Sequence, residues 1–305
     1  MANFAIVITD TGMIPGTNGM LNALEYYGND IDFYYLHMGK WVEPYLEGWQ
    51  KAFPFFHPIK ILDLQADGYP KHPKVGENVW YCKMYRYLYA VRELQKYDAV
   101  SVFDADMQIT NNIEIWFEIA AETGRFLLPN NDFSGQEYDQ HNIEGIRGAS
   151  SPPLHNMPNF FDPKKYGWML EQIPEESLAE NLGDMSSLSR ILIKTGEIDK
   201  IMPLPNLFWV QSNYYYVNLI KRVINGKWYL CLNKMGDRVN AFHRRWWFES
   251  VCRQFLQGPK EDIAIEFARN NVRLFWDFTR HFNLSLKHKI EWNEDKWGGY
   301  PAEFA

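Results

Sequence analysis

A chain of 305 residues, 46% hydrophobic and 23% charged, with both kinds interspersed and no low-complexity tract, can bury a large core and is not a disordered polymer. Its net charge of −7 argues against broad, sequence-independent binding to nucleic acid, which relies on a cationic surface. Three cysteines (Cys82, Cys231 and Cys252) are odd in number and lack metal-type spacing, and no apolar run approaches the roughly 18 residues of a membrane span, so reduced thiols, no structural zinc and a soluble, cytoplasmic protein are expected.

Phe4 to Thr9 is a continuous apolar run, as in strands covered on both faces, and it stops at Thr9-Asp10-Thr11-Gly12. A Gly-containing loop and a helical pattern closed by Gly28 follow, without the Gly-x-Gly-x-x-Gly spacing of a dinucleotide site, so NAD is not expected. Phe33 to Leu36 reads as a second strand, with Asp30-Ile31-Asp32 as a solvated turn at its amino edge. Val42 to Phe53 reads as a helix and Ile59 to Leu64 as a third strand. The alternation implies a mostly parallel sheet. After a loop rich in Gly, Pro and Lys, residues Lys83 to Lys96 keep helical spacing and deliver the chain into the strand Ala99 to Phe103. Lys83 and Arg86 share a face of that helix; they are either phosphate or carboxylate partners or part of a solvated face.

That strand ends in Asp104-Ala105-Asp106. Side chains two apart on an extended segment project to the same side, so both carboxylates could meet one hard cation, and Ala105 leaves room for a substrate. With 17 Asp in the chain, one such spacing arises by chance, and a structural turn is the competing reading.

Downstream, Asn111 to Phe117 starts a helix with an Asn cap, and Arg125 to Leu128 is a strand. Pro129 to Pro163 has the composition of a lid or binding loop. Helices follow over Lys164 to Gln172 and Met185 to Thr195, and Asp184 stands at the start of the second, where capping is the common role. Leu207 to Val217 is strand-like, and Arg238 to Phe242 is a strand running into His243-Arg244-Arg245. From Pro259 onward, helical patterning over Ile263 to Phe282 and a Trp-rich tail suggest a C-terminal helical, aromatic-rich appendage, dividing the chain into 1–258 and 259–305.

Several of these segments, in order, resemble the retaining glycosyltransferases of the glycogenin and galactosyltransferase type. Asp104-Ala105-Asp106 with Asn111-Asn112-Ile113-Glu114-Ile115-Trp116-Phe117 resembles their metal motif and following helix. Val7-Ile8-Thr9-Asp10 through Leu24 is similar to their first strand and nucleoside loop, Gly183-Asp184-Met185 to their Gly-Asp-Gln segment, and Val239 to His243 to the strand presenting the third metal ligand. The likeness covers about residues 4–250. It implies a GT-A fold, α/β with a mostly parallel, Rossmann-like sheet flanked by helices. It also implies transfer of a sugar from a nucleoside diphosphate sugar, UDP-linked in the family, to a hydroxyl of a glycan, protein or other acceptor. Asp104, Asp106 and His243 would hold Mn2+ or Mg2+; Thr9, Asp10 and Thr11 the base and ribose; Lys83, Arg86 and Arg244 the diphosphate, with Ala105 beside the donor; and Asp184 would face the reacting sugar as the catalytic carboxylate.

The departures are local. Arg244-Arg245-Trp246-Trp247 stands where the family continues through Gly to Lys-Pro-Trp, Leu154 to Pro158 lacks the Gly of a core strand, and Met185 replaces the Gln. Two alternatives remain at this stage: a glycosyltransferase acting on a modified base in DNA, and a non-catalytic nucleotide- or glycan-binding module of the same fold.

Overall fold

The computed structural model describes residues 3–9, 12–39, 41–71, 82–129, 158–180, 184–205, 209–210, 219–232, 237–243, 261–284 and 286–291. They form two compact units. The first takes Met1–Gly12, Asp30–Ala105 and Ile113–Leu204; the second takes Met13–Asn29, Asp106–Asn112 and Pro205–Ala305.

The first unit is built on a seven-stranded sheet. Its strands in chain order are β1 (Phe4–Thr9), β2 (Asp32–His37), β3 (Phe56–Lys60), β4 (Ala99–Phe103), and then, after β5, β6 (Leu127–Pro129), β7 (Asn159–Phe161) and β8 (Met202–Leu204); β5 (Met107–Ile109) belongs to the second unit. The spatial order is β3-β2-β1-β4-β7-β6-β8. All pairs are parallel except those of β7 with β4 and β6. Burial on both faces explains the unbroken apolar runs: Ala5 to Ile8 and Val100 and Val102 have no exposed surface. The buried polar groups at the centre of β4 and β7 are bonded. Ser101 donates to the Asn159 carbonyl, and the Asn159 amide links Val102 N (3.2 Å) to the Tyr87 hydroxyl (3.3 Å), tying β7 to β4 and to a helix.

The helices of this unit are α2 (Glu43–Ala52), α3 (Ile61–Ala66), α4 (Met84–Glu93) and α5 (Glu114–Thr123), then α6 (Pro163–Leu170), α7 (Ile173–Glu180) and α8 (Asp184–Lys194); α1 (Ile14–Tyr27) lies in the second unit. Asp162 caps α6 through Lys164 N at 2.8 Å, and α7 and α8 are joined by Glu176, which accepts from Arg190 (2.6 Å) and Lys194 (2.8 Å).

Several expectations need correction. The third strand is Phe56–Lys60, and Ile61–Ala66 is helical, with Ile61 and Leu64 turned inward at helical spacing. No Asn caps α5: Ile113 occupies the N-cap, while the Asn111 amide donates to Asn240 (3.2 Å) and that of Asn112 to the Gly28 carbonyl (3.1 Å). Asp32 is not a solvated turn residue but opens β2, accepting from the Tyr97 hydroxyl and lying 3.1 Å from His57 Nε2. A strand, β7, begins within the stretch read as irregular, most of which lies outside the described residues.

In the second unit, β9 (Trp209–Val210), β13 (Ala241–His243) and β5 form one small sheet. The other contains β10 (Leu219–Ile224), β11 (Lys227–Leu232) and β12 (Asp237–Arg238). The stretch 238–242 is therefore two strands in two sheets. β10 and β11 form an antiparallel hairpin whose turn, Asn225-Gly226, has φ of +50° and +76°, the left-handed pair that matches strand twist. The long helix α9 (Glu261–Leu284) packs on α1 through buried polar contacts, Asn18 with Asn283 at 2.9 Å and Asn283 with the Pro15 carbonyl at 2.9 Å. Among the described residues no helix is long and apolar enough to cross a membrane.

Candidate active site

The carboxyl end of β4 is where the first unit gathers charge. Both neighbours of β1, namely β2 and β4, run parallel to it, and the chain leaves β1 towards β2 but reaches β4 only by crossing back from β3. Such a reversal opens a crevice at the strands' carboxyl ends, the usual ligand position in an open α/β sheet. Asp104 follows directly on β4 there.

Arg86 organises this end. It is carried by α4, is 1% exposed, and donates through Nη1 to the Phe103 carbonyl (2.8 Å) and to Asp104 Oδ1 (2.8 Å), and through Nη2 to Asp184 Oδ2. Lys83, at the N-cap of α4, reaches the same Asp104 oxygen at 3.3 Å. Burial opposes the charge on Arg86, but the Asp184 and Asp104 carboxylates outweigh it and raise the guanidinium's pKa above its ordinary value. The helix face carrying Lys83 and Arg86 is thus not solvated, and its two cations serve two carboxylates. Asp184 is 6% exposed at the first position of α8, and the side chains of Asp104 and Lys83 keep 15% and 13% of their surface open.

Two buried polar atoms of the cluster's surroundings have no partner among the described residues: Arg86 Nε and the hydroxyl of Thr9, which ends β1 and is 1% exposed. A buried donor left unmatched is costly, and such atoms gather where a ligand or water completes the site.

The second unit holds the rest of the motif. Asp106 immediately precedes β5, and β5 pairs antiparallel with β13 so that Met107 stands opposite His243. Thr110 locks this register, its N–H donating to the Asn240 carbonyl (2.9 Å) and its hydroxyl to that of Val239 (2.7 Å). The backbone of His243 is therefore held one residue from Asp106 in the ladder. The side chain of His243, and all of Asp10, Thr11, Gly183 and Arg244, lie outside the described residues. Among the described residues no group of three His, Cys, Asp or Glu side chains is arranged to hold a metal.

The residues brought together are Lys83, Arg86, Asp104 and Asp184, with Ala105, 1% exposed, following Asp104. The direct link between Arg86 and Asp184, 98 residues apart, is the feature that sequence spacing does not reveal.

No protein-family profile matches the chain, and no curated protein matches it in sequence. Solved structures do match in fold. The galactosyltransferase LgtC, in complex with donor and acceptor sugar analogues, superposes over 96% of this chain and 99% of its own with a TM-score of 0.53 at 11% identity. The glycosyltransferase GlyE of Streptococcus pneumoniae matches 96% of this chain and 66% of its own (TM-score 0.50, 13% identity), and the bifunctional glycosyltransferase WbbM 87% and 51% (0.50, 10%). The chain spans about half of WbbM and about two-thirds of GlyE. It has the GT-A glycosyltransferase fold, with seven mostly parallel strands flanked by helices.

Proposed function

We propose that the protein is a metal-dependent glycosyltransferase that moves a sugar from a uridine diphosphate sugar to an acceptor hydroxyl with retention at the anomeric carbon. The observation that carries this reading is Arg86, buried and holding Asp104 and Asp184 together at the carboxyl end of β4, on a fold shared with known glycosyltransferases.

The donor set suits a hard divalent cation. Asp104 and Asp106 offer carboxylates, and His243 shares a ladder with the residue after Asp106; two carboxylates with an imidazole favour manganese over magnesium. A cation held by Asp104, Asp106 and His243 would supply Lewis-acid neutralisation of charge on the departing diphosphate. The chain's own residues do the remainder. Lys83 adds a positive charge next to Asp104, and Arg244 would add another from the segment after β13. Arg86 fixes the rotamers of two carboxylates through a forked set of hydrogen bonds, so that neither must reorganise as charge develops. Thr9 presents its hydroxyl at the end of β1, where with Asp10 and Thr11 it would hold base and ribose. Asp184, oriented by Arg86, would face the sugar and stabilise positive charge at its anomeric carbon.

The test is release of UDP from a panel of UDP-sugars with Mn2+, with and without a chelator. Metal-dependent release that falls at least about 100-fold in Asp184→Asn, and in Asp104→Asn, is expected. Absence of metal-dependent turnover with every nucleotide sugar would overturn the proposal.

A further inference from the structure

We infer that Lys83 shields Asp104 from a bare metal ion and admits the ion only in company with the donor's diphosphate; this deepens the nucleotide-sugar reading and rests on it. The contact that matters is at a single oxygen. Asp104 Oδ1 accepts from Arg86 Nη1 at 2.8 Å and from Lys83 Nζ at 3.3 Å, and the Asp104 side chain keeps 15% of its surface open. With Asp184 on the other arm of the Arg86 guanidinium, the cluster sets two cations against two carboxylates. The four groups balance one another.

The local structure does not ask for a lysine at this position. Lys83 is the N-cap of α4, where it makes no side-chain capping bond, and the first turn of the helix holds no acidic residue. A helix amino end carries partial positive charge, which favours an acid and disfavours a lysine, and the preferred N-caps are Ser, Thr, Asp and Asn. Its chain neighbours Cys82 and Met84 are buried, so the main chain is anchored on both sides of it. A residue that breaks local rules beside a candidate site points to a role in that site.

Its effect on a divalent ion follows from charge. An ion taking a share of Asp104 Oδ1 meets an ammonium and a guanidinium on the same atom, where so little surface is open that water screens the repulsion poorly. Arg86 is held fast, being 1% exposed and bonded also to the Phe103 carbonyl and Asp184. Lys83 is the cation that gives way: its bond to Asp104 is the longer of the two, and an ammonium on a four-carbon stem turns readily to a new acceptor. A diphosphate oxygen is such an acceptor, and its negative charge also offsets that of the ion. Ion and diphosphate thus each make room for the other, a coupling that acts equally in both directions.

Mn2+ binding to the full chain, followed by the electron paramagnetic resonance of the free ion, tests this in the parent, Lys83→Met and Lys83→Gln, each with and without saturating UDP and each checked by thermal melting. In the parent, UDP should tighten Mn2+ binding at least about tenfold. In both variants Mn2+ alone should bind at least about tenfold more tightly than it does to the parent, and UDP should add less than about threefold. Adding Asp104→Asn to Lys83→Met should abolish the gain. Tighter binding of the bare ion is not something that damage to the fold produces. Equal or weaker binding of Mn2+ alone in variants that melt cooperatively, a UDP effect of the same size in parent and variants, or a gain that survives Asp104→Asn would overturn the role of Lys83. The nucleotide-sugar reading would stand so long as the parent binds Mn2+ with UDP. Loss of a cooperative melt in both variants would make Lys83 a structural residue and overturn its role too. A parent that binds no Mn2+, with or without UDP, overturns both.

Discussion

Arg86→Met keeps the length of the side chain and deletes its charge. Arg86 is 1% exposed and donates to the Phe103 carbonyl and to two carboxylates, of which Asp184 is itself only 6% exposed. Removing one partner of a buried ion pair costs about 3–5 kcal/mol, because the remaining charge stays desolvated and unpaired. Lys83 still reaches Asp104 and limits the loss on that side, whereas Asp184 loses the bond it accepts from Nη2. For an m-value of about 3 kcal/mol per M, the urea midpoint should fall by about 1–1.7 M. Adding Asp184→Asn to Arg86→Met removes the stranded charge and should recover a large part of that drop, while Asp184→Asn alone, which leaves the guanidinium one carboxylate short, should itself be destabilising. Equilibrium denaturation followed by circular dichroism measures all three variants. A midpoint for Arg86→Met within about 0.3 M of the parent, the equivalent of about 1 kcal/mol, or a double variant no more stable than the single, would refute the view that Arg86 is held by two buried charges.

Glu176 accepts from Arg190 and Lys194; burial opposes its ionisation, but those two cations outweigh it and lower its pKa. A depressed carboxylate contributes stability above its unfolded value of about 4.3 and loses it as pH falls through the folded one. Glu176→Gln should therefore cost about 1–3 kcal/mol at pH 7, with the gap to the parent closing below about pH 4, read by thermal melts at several pH values. Asn159→Leu removes the side-chain acceptor of Val102 N and the amide that donates to the Tyr87 hydroxyl and should lower stability by about 1–3 kcal/mol; an unchanged melting temperature would argue against β7 as described. Gly226→Ala, at φ +76° in the hairpin turn, should cost about 1–2 kcal/mol and speed amide exchange across β10 and β11, and a protected hairpin in that variant would count against the left-handed turn.

Much of the fold is legible in the sequence because burial on both faces writes itself as uninterrupted apolar runs. Phe4 to Thr9 and Ala99 to Phe103 are visible in this way, and they are the two strands that frame the site. The third strand was less visible because β3 is an edge strand that is mostly half-buried and contains Pro58, tolerated there since an edge has a side without a ladder to donate to. The short apolar stretch at Ile61 to Leu64 suits either a strand or a turn of helix, and only packing decides. The Asn225-Gly226 dipeptide between alternating residues is a signal by which the β10–β11 hairpin can be found. At the site, Asp104 stands out because it ends a buried strand. Arg86 does not, since its partner Asp184 is 98 residues away and helical spacing alone leaves a solvated face equally acceptable.

The pairing of α1 with α9 brings together segments far apart in the chain, Asn18 and Asn283 being separated by 265 residues. Asn18 on α1 donates its amide to Asn283 and to the carbonyl of His288, and Asn22 donates to that same carbonyl as well as to the Asn18 carbonyl within α1, so the long-range bonds of both form only once α9 and the segment after it are made. During synthesis α1 leaves the ribosome before α9 and waits, its inner face wet, for that helix to arrive. A premature stop anywhere before Glu261 therefore removes the partner of a helix already made. It should yield a polypeptide that chaperones retain or proteases clear, rather than a shorter folded protein.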